Sequence, residues 1–443
     1  MLFSRQSLKQ LIIPLMIEQT LAFTVGLVDT FMVATIGEQA VSGVALVDTI
    51  NVLLINLLAA MAGGGAIVMG QYLGIKEYGN AQHAAKQLVM AMGMFSIAIM
   101  AVCLLMNAQI LSLVFGRVEA AVMGNAQTYF YITAASYPFI ALFNACAALF
   151  RGMGDSKTAM LNALIMNIAN IAGNAILIYG FNMGVLGAAV STLVARIITA
   201  ATMLHMLRNK KRVVCVRSYR LRDIDFRMIG RILRIGIPNG LESSMFQIGK
   251  VIVTSLVAMQ STAAIAAHAV SNSLALFEII PGQAMGLAIL AVVAQCVGAG
   301  EYGQAEYYTK KMMKQAYLYM IILNMGMFAL MRPILGLYNL SDGAVALAMQ
   351  IMTLHSFSAA AIWPISFTLP NALRAAGDVK YTMVISGVSM WVFRIVLSYL
   401  FVYSLGWGVM SVWVAMIIDW GVRSVFFVTR WRSGKWKKFN VLR

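Results

Sequence analysis

The sequence predicts an all-α membrane protein in which twelve transmembrane helices form two homologous six-helix bundles of the same orientation. Three observations predict this fold class. The 443-residue chain is 61% hydrophobic and only 11% charged, which is too apolar for a soluble domain of this length. Its apolar stretches are long enough to span a bilayer, and its positive charges are confined to alternate connections. The second half of the sequence repeats motifs of the first half at a fixed shift.

Twelve windows of about 20 apolar residues have the length needed to cross a bilayer as helices. They fall at roughly 11–36, 44–72, 87–107, 122–150, 158–181, 184–208, 235–259, 265–298, 315–336, 344–373, 381–404 and 409–430. The second and eighth windows are long, so those helices are expected to tilt, to bend or to project into the cytoplasm. Prolines inside spans should bend them as well; these are Pro138, Pro281, Pro364 and Pro370.

The positive charges orient the chain in the membrane. With the N-terminus in the cytoplasm, the inside segments carry 27 of the 33 Lys and Arg residues, and the outside segments carry only Arg117 and Arg332. Because this bias marks cytoplasmic loops, we expect a multi-pass protein of the inner or plasma membrane with both termini in the cytoplasm. The other four bases lie inside predicted spans: Arg196, Lys250, Arg394 and Arg423.

A basic segment, 208–234, lies near the midpoint of the chain. It holds ten Lys or Arg residues and only two acids, Asp223 and Asp225. So many charges are excluded from hydrocarbon, so we expect a cytoplasmic connector between an N-terminal bundle, 1–207, and a C-terminal bundle with a basic tail, 235–443. The net charge of +17 would suggest nucleic acid, but bases confined to short loops fit anionic membrane lipids better.

The repeat indicates duplication of a six-span unit. The matching positions, from first half to second half, are Pro14 with Pro238, Glu18 with Glu242, the segment 71–86 with 295–310, and the segment 151–160 with 374–383. The shift is 224 residues for the first three and 223 for the last. Because six spans return the chain to the same side, the two bundles should be related by an axis along the membrane normal, with a site between them.

Carboxylates inside the membrane are costly and are functional candidates for that reason. Asp29 lies in the middle of the first span. Glu18 lies eleven residues earlier, on nearly the same helix face and roughly 16 Å away, so the two acids could serve one proton or cation path. A structural role near the inner surface is the alternative for Glu18, and its repeat partner Glu242 shares that location. The remaining acids inside spans are Asp48, Glu278 and Asp419.

Three asparagines form one stripe on the fifth span: Asn167, Asn170 and Asn174. Their spacing of three and four residues places them on one helix face. Amides both donate and accept hydrogen bonds, so this stripe suits either a coupling or substrate site next to a carboxylic acid or contacts between helices. Glu242 and Glu278 are further candidates to line such a site.

The sequence contains no pattern typical of an enzyme. No serine–histidine–acid order or phosphate-binding loop is found. The four cysteines and four histidines lack the spacing of metal, redox or disulfide pairs. We therefore expect no catalysis, no metal and no cofactor in this chain.

Five stretches carry a family resemblance: "PLMIEQTLAFTVGLVDTFMVATIGEQAVSGVAL", "GQYLGIKEYGNA" and "LFRGMGDSKTAM", and the second-half copies "AQCVGAGEYGQA" and "ALRAAGDVKYTM". Together they resemble the multidrug and toxic compound extrusion (MATE) family over essentially the whole chain. The resemblance implies two six-helix bundles in a V around a cavity, and export of organic cations or other amphiphiles against H⁺ or Na⁺. It places Asp29 at the position of the family's coupling acid, and many relatives have an acid where this chain has Asn174.

We therefore expect a cation-coupled antiporter that exports drugs or other amphiphilic, often cationic, small organic molecules by alternating access. A proton is the preferred ion, because desolvation disfavours the charged form of a lone carboxylate such as Asp29. Sodium would need several oxygen ligands, for which the sequence offers no convincing set. Two alternatives remain open: a flippase for a lipid-linked saccharide, whose phosphates would need the four intramembrane bases, and a membrane scaffold that transports nothing.

Overall fold

The structure is a computed structural model that describes residues 2–116, 119–338, 340–439 and 441–442. The predicted outside charge at Arg117 lies outside the described residues. The chain divides into two compact units. The N-terminal unit is Arg5–Gly240, and the C-terminal unit is residues 2–4 together with Leu241–Arg443.

The N-terminal unit contains the first eight helices and the start of the ninth. They are α1 (Arg5–Ala34), α2 (Glu38–Gly74), α3 (Tyr78–Leu105), α4 (Asn107–Phe115), α5 (Ala120–Ala135), α6 (Tyr137–Gly152), α7 (Ser156–Asn174), α8 (Gly184–Leu207) and α9 (Phe226–Ala258). A π-helical segment, Ala175–Gly180, continues α7, and a 3₁₀ turn, Leu221–Asp223, lies in the connector. Helix α7 packs against both α1 and α8. It therefore lies between the helix that carries Asp29 and the helix that carries Arg196.

The C-terminal unit repeats this order of helices. After α9 come α10 (Thr262–Glu278), α11 (Ile280–Gly298), α12 (Tyr302–Ala329), α13 (Met331–Gly336), α14 (Asp342–Trp363), α15 (Pro370–Ala375), α16 (Val379–Val388), α17 (Leu397–Leu405) and α18 (Met410–Arg432). Two π-helical segments, Pro364–Thr368 and Ser389–Val396, interrupt the tenth and eleventh predicted spans, and a 3₁₀ turn, Lys435–Lys438, follows α18.

The membrane prediction is confirmed by the helices. Within the described residues, nine helices or continuous helical stretches are long and apolar enough to cross a membrane, and the bent pair α5 and α6 makes a tenth. Helices α9 and α12, at 33 and 28 residues, have the length of the other two predicted spans but contain more polar residues. The described helices therefore fit an all-α membrane fold with six spans in each half.

The prolines bend or break spans as predicted. Helices α5 and α6 meet at 46°, next to Pro138 in the first turn of α6. Pro281 lies in the first turn of α11 and Pro364 opens a π-helical segment. Each proline lacks the N–H that would continue the preceding helix. The long eighth window is consequently two helices, α10 and α11, rather than one tilted helix.

The duplicated glycine–aspartate motifs form the same turn in both units. After α6, the backbone N–H of Asp155 bonds to the carbonyl of Phe150, across Gly154 at φ 85°. After α15, Asp378 bonds to Leu373 in the same way, across Gly377 at φ 97°. This six-residue closure around a left-handed residue satisfies the last carbonyls of the helix, and glycine adopts the left-handed conformation without steric cost.

The basic connector is attached to α3 of the N-terminal unit. Lys86 bonds to Asp223, and the His83 ring lies 2.9 Å from Asp225. The Lys86 ammonium holds the pKa of Asp223 below its usual value, and the hydrogen bond from His83 does the same for Asp225. The two acids of the connector thus fix it to the bundle, whereas its bases, apart from the partly buried Arg212, are exposed.

Candidate functional site

Asp29 lies next to Asn174, so the structure brings two of the predicted site residues together. The Asn174 amide nitrogen donates to Asp29 Oδ1 over 2.5 Å, joining α1 to the end of α7. Asn174 is fully buried, and its own Oδ1 has no hydrogen-bond partner in the described structure. A buried carbonyl oxygen without a donor is unfavourable. The contact therefore lacks a hydrogen bond to Asn174 Oδ1.

A second carboxylate, Asp48 on α2, interacts electrostatically with Asp29. The Asn51 amide donates to Asp48 Oδ1 over 3.2 Å, and the hydroxyl of buried Tyr129 bonds to the same carboxylate. The Tyr137 hydroxyl in turn donates to Asn51 Oδ1 over 2.8 Å. Asp48 therefore accepts hydrogen bonds from its own helix, α2, and from α5.

Arg196 on α8 completes this cluster. Its guanidinium donates to Ser136 Oγ over 2.6 Å and interacts with the charges of both Asp29 and Asp48. We call the five residues Asp29, Asp48, Tyr129, Asn174 and Arg196 the Asp29 group. With both carboxylates ionised, the group carries one more negative than positive charge.

The other two asparagines of the stripe lie close by on α7. The Asn170 amide donates to Thr192 Oγ1 over 3.1 Å, and its carbonyl accepts from Ser191 over 2.7 Å. Asn170 therefore links α7 to α8. Asn167 is half-buried one turn earlier on the same face. Of the three predicted asparagines, only Asn174 contacts a carboxylate of the Asp29 group.

Glu18 and Glu242 occupy equivalent positions and pair with equivalent arginines. Glu18 bonds to Arg151 at the end of α6, with both side chains largely buried. Glu242 accepts from Arg374 over 2.6 Å and lies 3.8 Å from Arg423. Each ion pair joins the first helix of its half to the duplicated turn. Glu18 thus contacts Arg151 and not the Asp29 group.

Glu278 is fully buried at the end of α10 and forms a separate polar cluster. One carboxylate oxygen lies 2.6 Å from His355 Nδ1, and the other accepts from Ser356 over 2.6 Å. The His355 ring packs edge-on against Trp413 and Trp420. Both carboxylate oxygens of Glu278 are hydrogen-bonded to residues of α14, so this side chain links α10 to α14.

The remaining intramembrane bases lie in the C-terminal unit. Arg423 donates to Ser386 over 2.8 Å and stacks on Phe367, with its Cζ 4.3 Å from the ring centre. Arg394 lies over Phe246 at 5.4 Å. Asp419, four residues before Arg423, accepts from Ser389 over 2.5 Å. Within the described part of the chain, no cluster of three or more His, Cys, Asp or Glu could hold a metal ion.

Sequence reasoning found Asp29 and Asn174 but did not assemble the rest of the Asp29 group. Asp48 and Arg196 were visible as charges inside spans, and that signal could have suggested a neutralising pair. Tyr129 gives no signal of its own, because buried aromatic residues are common in spans. Only the packing of α2, α5 and α8 around α1 and α7 brings these side chains together.

Duplicated bundles of membrane-length helices, with charged groups buried inside them, are typical of membrane transporters. The MatE family model matches residues 14–176 and 238–400. The two matched segments begin 224 residues apart, at the shift read from the sequence repeat. This chain belongs to the MatE family, the multidrug and toxic compound extrusion transporters.

Relatives match along almost the entire chain. "Uncharacterized transporter YisQ" of Bacillus subtilis is 26% identical over 441 residues, covering 97% of this chain and 94% of its own length. "Probable multidrug resistance protein NorM" of Thermotoga maritima is 23% identical over 446 residues, covering 99% and 94%. The match is therefore to whole transporters and not to one bundle.

Solved structures share the fold. The outward-facing form of a multidrug resistance MATE family transporter of the MOP superfamily superposes with a TM-score of 0.89 at 20% identity, covering 98% of this chain and 96% of that one. A MATE transporter in the bent conformation gives 0.86 at 21% identity, with the same coverage. The protein is accordingly a multi-pass membrane transporter of the MATE multidrug efflux family, with the predicted duplicated all-α fold.

Proposed function

We propose that this protein is a proton-coupled antiporter of the plasma membrane that exports amphiphilic, often cationic, organic compounds by alternating access. The observation that carries the proposal is the Asp29 group, a partly buried cluster with one uncompensated negative charge. A single proton or a single monovalent organic cation neutralises it. Because both compete for the same charge, uptake of one favours release of the other. The expected exchange is one proton for one positive charge.

The hydrogen bonds around the carboxylates favour a proton over sodium. Asn174 and Asn51 direct N–H groups at Asp29 and Asp48, and Tyr129 directs an O–H group at Asp48. These donors occupy carboxylate positions that a metal ion would need. A proton on Asp29 has an acceptor available, since Asn174 Oδ1 is buried and receives no hydrogen bond.

Protonation of Asp29 would change the contact between α1 and α7. The ionised carboxylate accepts from Asn174, whereas a carboxylic acid also donates and can satisfy the Asn174 oxygen. The π-helical segment Ala175–Gly180 follows directly after Asn174. π-Helical turns contain a wider hydrogen-bond ring and mark positions where helices change register. This is the element we expect to convert proton binding into a change of bundle shape.

The alternatives receive less support. A flippase for lipid-linked saccharides would need the four intramembrane bases to face phosphates. Arg196 and Arg423 instead lie beside carboxylates, so only Lys250 and Arg394 are left to face a phosphate. A scaffold without transport activity has no need for the uncompensated charge of the Asp29 group, which is unfavourable in the membrane.

The exposed bases of the connector support a cytoplasmic location for segment 208–234 and for both termini. Positive charges next to spans favour the cytoplasmic side and bind anionic headgroups of the inner leaflet. A single cysteine at Arg217, in a protein lacking the four native cysteines, should resist an impermeant thiol reagent in intact cells and react in permeabilised cells. Labelling at Arg217 in intact cells would contradict this orientation.

The functional test uses purified protein in liposomes, with ethidium as the organic cation and an imposed pH gradient. Asp29→Asn keeps the shape of the neutral carboxyl but does not titrate, so gradient-driven ethidium transport should fall to the rate of empty liposomes. Asp342→Asn, the same change at an exposed acid of α14, is the matched control and should transport normally. Equal transport by Asp29→Asn and the unmodified protein, or transport driven by a sodium gradient at equal pH, would overturn proton coupling at Asp29.

A further inference from the structure

The C-terminal unit contains two neighbouring bases, Lys250 on α9 and Arg394 in the π-helical segment Ser389–Val396. Lys250 is half-buried and Arg394 is buried. Helix α9 packs against this segment, since Met390 lies against Gly249 and Arg394 lies over the Phe246 ring, and the two positive charges repel. Neither side chain has an ion pair among the described residues. Arg394 is 7% exposed, and its Nε is buried without a hydrogen-bond partner. Desolvated cations that repel each other are unfavourable unless an anion joins them.

The carboxylates nearby do not compensate these charges. Glu242 is paired with Arg374 and approached by Arg423. Asp419 is bonded to Ser389 and shared electrostatically between Arg394 and Arg423. Two carboxylates therefore face four bases: Lys250, Arg374, Arg394 and Arg423. Two positive charges remain uncompensated in this part of the unit.

A histidine and an aromatic ring also lie next to the two bases. His268 on α10 lies within electrostatic reach of Lys250 and Arg394. Its Nδ1 accepts a hydrogen bond from the Trp413 indole over 3.2 Å. The proton of the neutral ring therefore lies on Nε2, which is available to donate. Arg394 lies over the face of Phe246. Lys250 and His268 are only half-buried, so their polar atoms are accessible to a ligand.

We propose that Lys250, Arg394 and His268 form a binding site in the C-terminal unit for the oxyanion, carboxylate or phosphate, of an aromatic or amphiphilic small molecule. The guanidinium offers a planar pair of N–H donors and the ammonium a point charge, a combination that matches both oxyanions. The half-buried Phe246 ring supplies apolar surface for an attached ring. The site rests on the proposed transport function and extends its substrates to compounds with an anionic group.

The test measures binding at equilibrium, without any gradient, on the full-length protein in nanodiscs of zwitterionic lipid. The probes are 1-naphthoate, 1-naphthyl phosphate and the uncharged 1-naphthamide. The unmodified protein should bind both anions at least tenfold more tightly than the amide, as expected for one charge-assisted hydrogen bond. Competition by short-chain phosphatidylglycerol would identify a lipid headgroup as the source of the oxyanion, and its failure a free small molecule.

Lys250→Gln should weaken binding of 1-naphthoate at least tenfold and leave 1-naphthamide unaffected, whereas Lys250→Arg should keep most of the affinity. Lys9→Gln, at an exposed base of α1, is the matched control. Because Lys250 has no ion pair to lose, the variant should fold. Unchanged naphthoate affinity in Lys250→Gln, or equal affinity of the unmodified protein for naphthoate and naphthamide, would overturn the site. Asp29→Asn should retain naphthoate binding, so failure of proton coupling and failure of the anion site are separate results.

Discussion

The ion pair between Glu18 and Arg151 offers a direct test of whether Glu18 has a structural or a coupling role. The structure places both side chains in a largely buried contact between α1 and α6, with exposed fractions of 8% and 18%. The second oxygen of Glu18 and Nε of Arg151 are buried without partners. Replacing either residue alone therefore leaves the other charge without compensation.

The expected magnitude follows from the charges. Two unit charges at hydrogen-bond distance interact by about 4 kcal/mol at the effective dielectric constant of a partly buried site. Removing one partner of a buried pair costs roughly 3–5 kcal/mol, because the remaining ion loses its compensation. Glu18→Gln or Arg151→Met alone should thus lower the melting temperature by at least about 5 °C. The double variant removes both buried charges and should recover most of the loss.

The assay combines thermal unfolding with ethidium transport in proteoliposomes. If Glu18 is structural, the double variant should be stable and should still transport under a pH gradient. A double variant that is stable but inactive would refute the structural role and restore Glu18 as a coupling residue. The repeated pair is an internal comparison: Glu242→Gln with Arg374→Met should remain unstable, since Arg423 then has lost the Glu242 carboxylate 3.8 Å away.

Two further predictions concern turns between helices and are checked by thermal unfolding. Lys76 has φ 62° where the repeated turn has Gly300 at φ 73°, so Lys76→Gly should stabilise by about 1 kcal/mol and Gly300→Ala should destabilise; no difference in either variant would contradict the strain. Burial opposes ionisation of Asp155, but hydrogen bonds from Thr158 and Arg212 outweigh it and hold its pKa below the ordinary 3.8. That stabilisation is complete above about pH 4 and is lost as the pH falls through the lowered pKa. In Asp155→Asn the melting temperature should therefore no longer fall with this carboxylate's protonation. The same dependence of the melting temperature on pH in both proteins would argue against the contact.

Much of the fold was predictable because the membrane restricts the chain so strongly. Apolar length identifies the spans, and the fixed shift between repeated motifs identifies the duplication. The breaks within spans were predictable from Pro138 and Pro281, since proline removes a backbone donor. In the long eighth window the structure has a break between α10 and α11 beside Pro281, where the length of the window and the proline predict a tilt or a bend.

The candidate site was predictable only in part. Asp29 and Asn174 are 145 residues apart, and the family resemblance and helix spacing identified each of them separately. Their contact depends on how α1 packs against α7, which no local pattern specifies. Asp48 and Arg196 were likewise recognisable as charges inside predicted spans, but no local pattern identifies a partner for either residue. Hydrophobic periodicity records which face is apolar and not which helix lies against it.

The two units share a scaffold but differ in the charges that lie inside the membrane. At the 224-residue shift, Asp29 corresponds to Val253, and Lys250 corresponds to Gly26. The ion pairs of Glu18 and Glu242 and the glycine–aspartate turns, by contrast, are at equivalent positions in both units. Those contacts hold helix ends together, which each bundle requires for folding. Uncompensated charges inside the membrane destabilise a bundle, so their presence at non-equivalent positions is best explained by different ligands in the two units: a proton or cation at the Asp29 group, and an oxyanion at Lys250 and Arg394.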